Sequence, residues 1–163
     1  KAFEQKCKDV KIIVQNSSMK EEEREEFLNN FNENGEETLV AFSVLGGIFS
    51  EGIDLKGERL SGAVIVGVGL PQICFERDII MNYFNEKNNK GYEYAYMYPG
   101  MNKVLQAAGR VIRSEKDRGA ILLIDDRFVS RSYVNLFPKE WMNNIIVRKS
   151  EDVENVLDQF WRA

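Results

Sequence analysis

The chain has 163 residues, 44% hydrophobic and 29% charged, with 22 Lys+Arg against 26 Asp+Glu and a net charge of −4. These proportions fit an ordinary globular domain with a sizeable core and exclude a disordered tract, a collagen-like fibre and a disulfide scaffold. The acidic balance also means that nucleic-acid binding has to rest on a local strip rather than on bulk charge.

Histidine is absent. That removes Ser-His-Asp and Cys-His catalysis, a histidine general base and His-ligated zinc. Two cysteines, Cys7 and Cys74, are too few for a four-cysteine zinc or iron–sulfur centre. No apolar run approaches the ~20 residues of a bilayer crossing. With no secretory segment in view, the expected compartment is the cytoplasm, with both thiols reduced.

In chain order, the first expected strand is Lys11–Gln15 (KIIVQ). Ser18 followed by Glu21 reads as a capping box, and the acidic run Glu21–Glu26 then opens a helix where the dipole favours anions. Phe27, Leu28 and Phe31 supply that helix's buried face, and Gly35 is its expected stop. Thr38–Phe42 (TLVAF) and Ala63–Val68 (AVIVGV) are the next strands, followed by a helix over Phe75–Asn85. A further helix starts just after Pro99 and runs to about Arg113. Ala120–Asp125 (AILLID) and Asn144–Val147 (NIIV) complete the strands. A last helix, Glu151–Trp161, carries Val153, Val156, Leu157 and Phe160 as a core-facing stripe. The strands are continuous apolar blocks separated by helical stretches, which predicts a parallel α/β sheet covered on both faces.

Two segments carry chemistry. Gly46–Pro71 holds seven of the 12 glycines, and within it Ser50–Asp54 (SEGID) follows a strand, at the end where open parallel sheets bind ligands. Glycine beside a carboxylate admits a phosphate or ribose, but the same pattern also makes a plain tight loop with a structural aspartate. The second segment is Gln106–Arg113 (QAAGRVIR). At 100° per residue Gln106, Arg110 and Arg113 share one helical face, with Val104, Leu105, Ala108, Val111 and Ile112 opposite. Gly109 leaves a thin spot that invites a close approach beside Arg110. Two permanently charged guanidinium groups one turn apart suit phosphate oxygens, although surface pairing to acidic neighbours is equally open.

Taken together, SEGID at Ser50–Asp54, QAAGRVIR at Gln106–Arg113 and an apolar strand ending Asp125-Asp126-Arg127 resemble the second motor domain of superfamily-2 helicases. The resemblance is narrower still, to the DinG and XPD-type branch, whose motifs V and VI these blocks match. VGVGLP (Val66–Pro71), YPGMNK (Tyr98–Lys103) and DDRF (Asp125–Phe128) are similar to that branch as well.

The resemblance implies a RecA-like parallel sheet flanked by helices, without a phosphate loop of its own, over residues 1–163 as one helicase C-terminal domain. It also implies that the chain begins inside the helix after the domain's usual first strand, so that this strand is missing and the piece is a fragment. ATP with Mg²⁺ is then held mainly by an absent N-terminal motor domain of the same protein. Arg110 and Arg113 become arginine fingers, Gln106 meets the nucleotide edge, and Gly52 and Asp54 line the cleft. Glu51 holds the loop or pairs with an arginine there. Single-stranded DNA is the expected partner, met through phosphates by Ser17, Ser43, Gly46, Gly47 and Lys103, with Ser18 and Arg77 nearby. Phe49 is either a base-stacking platform or a core residue. No membrane partner is expected. A catalytically silent α/β interaction module that keeps the helicase fold is the alternative. A Rossmann-type enzyme is disfavoured because no G-x-G-x-x-G follows the first strand.

Overall fold

Valine, isoleucine and leucine fill the first four expected strands, and each of the four forms. The computed structural model describes residues 2–16, 18–31, 37–47, 60–112 and 117–162. They divide into two units, Lys1–Asp125 and Asp126–Ala163.

The first unit runs α1 (Ala2–Lys6), β1 (Val10–Val14), α2 (Glu21–Asn29), β2 (Thr38–Phe42), β3 (Gly62–Val66) and α3 (Phe75–Asn88). A π-helical turn (Glu93–Met97), α4 (Tyr98–Ala108) and β4 (Ala120–Ile124) follow. β1 pairs with β2 and β3 with β4, both parallel, with Val10 opposite Thr38 and Gly62 opposite Ala120. Among the described residues the two pairs are separate two-stranded sheets. Parallel strands cannot be joined by tight turns, so helices fill the connections, as the apolar blocks predicted.

Helix α2 begins later than the Ser18 box suggested. Ser18 turns back, its N–H and hydroxyl reaching Asn16 Oδ1 at 3.1 and 3.0 Å. The cap is Lys20, whose N–H donates to Glu23 Oε2 at 2.7 Å. The carboxylate of the third helical residue thus satisfies a cap amide without help from a serine. Phe27 is buried, with Leu28, Phe31, Ile13, Ala41 and Leu60 against it. The helix closes at Asn30; Gly35 lies outside the described residues.

Helix α4 is built as one apolar and one polar face. Met101, Val104 and Ala108 are buried, and Gly100 lets the helix start close over Val68, where an added Cβ would sit 3.0 Å from the Val68 carbonyl oxygen. The helix stops at Ala108 with Gly109 as its cap, short of the Arg113 limit that the sequence suggested. Its last turn tightens: Gly109 N–H bonds Leu105 O at 2.9 Å, then Arg110 bonds Ala107 O at 3.2 Å and Val111 bonds Ala108 O at 3.0 Å. Gly109 therefore serves the helix end. A Cβ there would lie 3.1 Å from Leu105 O, a tight contact at the end of the helix. Val111 is buried as expected, but Ile112 is 45% exposed because it lies beyond the tightened turn.

The second unit contains a 3-10 turn (Asp126–Val129), α5 (Arg131–Val134), a 3-10 turn (Lys139–Trp141) and α6 (Ser150–Arg162). Two expectations fail here. Asn144–Val147 is not a strand: among the described residues nothing pairs with it, and Ile145 and Ile146 are 65% and 61% exposed. Nor does the α6 stripe form a core. Val153, Val156 and Leu157 are only half-buried, and Phe160 is exposed.

Candidate nucleotide and nucleic-acid interface

The carboxyl ends of β1 and β2 are stitched together by one side chain. Gln15 N–H continues the ladder to Phe42 O at 2.8 Å, and its side-chain Oε1 accepts the Val44 N–H at 2.9 Å. Gly47 N–H closes the turn onto Val44 O at 3.1 Å. Gln15 was legible only as the last residue of an apolar strand; its role appears once two strand ends are side by side. Ser43 is exposed on this shelf, and Gly46 and Gly47 are half-buried in it.

Gly46 has φ +81°, a left-handed conformation that a Cβ disfavours. The stem of Lys103 lies over it, so that a Cβ on Gly46 would be 2.7 Å from Lys103 Cδ and 2.8 Å from Cε. Gly69, at φ +64°, is covered in the same way by Leu45, 2.6 Å from a built Cβ. Two glycines thus let the loop after β2 settle between α4 and the loop after β3. Gly67, also at positive φ, leaves Asp125 Oδ2 3.9 Å from where its Cβ would be.

Lys103, Gln106 and Arg110 follow one another at spacings of three and four, on the face of α4 opposite its buried residues. Lys103 is half-buried at the shelf, Gln106 is exposed, and Arg110 is half-buried and engaged in the tightened turn. The geometry brings Lys103 to Gly46 and sets Arg110 about two helical turns further along the same row. It does not extend a regular helix to Arg113. Arg113, Gly52, Asp54, Glu51, Ser50, Ser17 and Phe49 lie outside the described residues. Arg77 is committed elsewhere: its Nη1 donates to Ala95 O at 3.2 Å, bracing the π-helical turn against α3.

That turn was not visible in the sequence. Its Tyr94 packs on α3, with the Phe84 ring stacked on it at 3.7 Å between ring centres, and stands edge-on to Tyr98 of α4 at 5.1 Å. Glu76, in the first turn of α3, has an acidity set by its surroundings. Its carboxyl is held below the usual range by its own backbone N–H and then by the Cys74 side chain, outweighing slight desolvation. Among the described residues no three acidic or cysteine side chains converge to hold a metal. No helix among them is long and apolar enough to cross a membrane.

Comparison with known proteins gives one family and consistent relatives. The Helicase C-terminal domain family matches residues 1–144. A regulator of telomere elongation helicase 1 homolog from Caenorhabditis elegans is 29% identical over 93% of this chain and 16% of its own length. The ATP-dependent DNA helicase DinG of Photobacterium profundum is 32% identical over 53% of this chain and 13% of its own length. A solved XPD helicase structure superposes with a TM-score of 0.58 at 22% identity, over 77% of this chain and 26% of that one, which places the fold as RecA-like. The chain spans well under a third of the length of each. It belongs to the helicase C-terminal domain family, in the DinG and XPD-type branch.

Proposed function

We propose that residues 1–163 serve as the second motor domain of an ATP-dependent DNA helicase and act on ATP and Mg²⁺ held by a first motor domain of the same polypeptide. Phosphoryl transfer needs positioning and positive charge more than covalent help, and an arginine supplied from across a cleft is worth roughly 10³–10⁵ in rate. Arg110 and Arg113 are the residues assigned to that task. Gln106 meets the nucleotide edge, with Gly52 and Asp54 lining the cleft and Glu51 steadying its loop. Single-stranded DNA crosses the strand-end shelf of Ser43, Gly46 and Gly47, with Ser17 beside it and Lys103 facing its phosphates. The site of action is the cytoplasm.

One observation carries the reading. Lys103, Gln106 and Arg110 stand in one polar row on a helix whose other face is buried. A DNA-facing cation and a nucleotide-facing cation therefore share one rigid body, and closure of the cleft on ATP moves the DNA contact with it.

The test is Arg110→Ala in the full-length protein, assayed for DNA-stimulated ATP hydrolysis. The expected result is a loss of kcat by roughly 10³-fold or more with ATP affinity little changed. Normal turnover would remove the arginine-finger assignment and favour the silent module.

A further inference from the structure

The turn after β2 holds two adjacent glycines, and each has one nitrogen donor laid against it. A Cβ on Gly46 would stand 3.1 Å from Lys103 Nζ, and a Cβ on Gly47 would stand 3.3 Å from Gln15 Nε2. The pair leaves room for an ammonium from α4 and a carboxamide from the end of β1 around one Gly-Gly turn. The carboxamide is fixed in orientation. Val44 presents an N–H, so only the amide oxygen can meet it, and Oε1 does so at 2.9 Å. Nε2 is thereby turned to Gly47, whose Cβ position lies nearer to it than to Oε1, at 3.3 against 3.7 Å. Among the described residues the Nε2 hydrogens meet no acceptor and no carboxylate pairs with Lys103. Strand register sets Gln15 beside Ser43, one step beyond the Val14–Phe42 pair, and Ser43 is exposed. A half-buried amide with its oxygen engaged and its hydrogens unmet calls for an acceptor from outside.

We infer that Gln15 binds DNA: its Nε2 donates to the same backbone phosphate of the single strand that Lys103 neutralises. The inference rests on the strand-end shelf being the DNA path and adds a donor that charge alone does not reveal. The two contacts differ in kind. The ammonium supplies charge and displaces a counterion, whereas the amide supplies direction and displaces none. A phosphate carries two unesterified oxygens, so one can meet each donor. Phosphate is favoured over a base edge because Gly46 and Gly47, between the two donors, have no side chain that could stack on a base or read it. Gln15 extends the β1–β2 ladder and Lys103 belongs to α4. One phosphate held by both therefore ties the strand of DNA to two separate elements of the domain.

Binding of a fluorescent oligothymidylate to the full-length protein, followed by anisotropy over a range of salt concentrations, tests it. Gln15→Glu keeps an oxygen for the Val44 N–H and removes both donors, and should weaken binding by about 10-fold or more. Gln15→Met removes the donors without adding charge. Its affinity should fall by about 10-fold at every salt concentration with the salt slope unchanged, whereas Lys103→Met should reduce the slope by about 0.7. Wild-type affinity in both Gln15 variants, with a reduced slope in Lys103→Met, would overturn the role of Gln15 and leave the DNA path standing. Wild-type affinity and slope in Lys103→Met as well would remove the shelf from the DNA path altogether. A measurement on the unaltered sequence guards against a variant that disturbs the turn. With glutamine labelled by ¹⁵N, the side-chain NH₂ signal of Gln15 should shift when the oligothymidylate is added, and an unmoved signal would refute the contact.

Discussion

Gly46→Ala probes the junction between the strand-end shelf and α4. At φ +81° an alanine pays about 1–2 kcal/mol for the left-handed backbone. The new methyl would also lie 2.7 Å from Lys103 Cδ and 2.8 Å from Cε, almost 1 Å inside the normal carbon–carbon separation of ~3.5–4.0 Å. Because a lysine stem is flexible, it swings away rather than holding the clash, at about 0.5–1.5 kcal/mol for a poor rotamer. Native-state hydrogen exchange of peptides spanning β2 and α4, in the full-length protein, reads the sum as a local loss of about 1.5–3.5 kcal/mol. Combining the change with Lys103→Ala separates the parts. The backbone penalty stays and the clash goes, so the two substitutions couple by about 0.5–1.5 kcal/mol. If Lys103 faces a DNA phosphate, Gly46→Ala also lowers the salt slope of single-strand binding by about 0.7, one phosphate contact. Strict additivity of the two changes, or no loss of protection in Gly46→Ala, would refute the placement of Lys103 over the turn.

Other outcomes follow from the same geometry. Met101 is 1% exposed, so Met101→Ala should destabilise the α4 region by about 2–5 kcal/mol, read by hydrogen exchange; a loss below about 1 kcal/mol would mean that the helix face is not core. Gln15→Ala removes the acceptor for the Val44 N–H and should speed exchange of that amide with a local loss of about 0.5–1.5 kcal/mol, whereas an unchanged Val44 rate would show that the stitch is absent in solution. Glu76 has a carboxyl pKa below the ordinary range, so its contribution to the first turn of α3 is complete above that range and fades as pH falls through the lower folded value. Glu76→Gln should flatten the acid response of that turn in an NMR titration, and an identical response in wild type and variant would contradict the assignment.

The strands were the most legible part of the chain. KIIVQ, TLVAF, AVIVGV and AILLID each form within one or two residues of the expected bounds, because apolar blocks rich in Val and Ile favour extended backbone; the expected cover on both faces is not seen among the described residues, where Val14, Val64 and Val66 are 63%, 63% and 72% exposed. NIIV has the same composition and no ladder partner among the described residues; a strand needs a neighbour, and composition alone supplies none. The α4 limit was misjudged for a similar reason. Periodicity runs on through Arg110 to Arg113, while the backbone ends its regular turns at Gly109. The α6 stripe has helical spacing but no buried member, since amphipathic spacing announces a face and not what covers it. At the site, residue types and spacing set Gln106, Arg110 and Arg113 on one helical face; in the structure Lys103 joins Gln106 and Arg110 there, and Arg113 lies outside the described residues. The Gln15 bridge and the covering of Gly46 and Gly69 depend on segments far apart in sequence, so no local pattern reports them.

The most direct measurement compares binding of ADP with aluminium fluoride, a mimic of the transferring phosphoryl group, to full-length protein and to its Arg110→Ala variant. An arginine that acts on charge developing at the γ-phosphate strengthens binding of the mimic far more than binding of ATP. The variant should therefore lose roughly 10³-fold in affinity for the mimic and bind ATP almost as before. Equal affinity of both proteins for the mimic would contradict the assignment of Arg110 to the phosphoryl-transfer step.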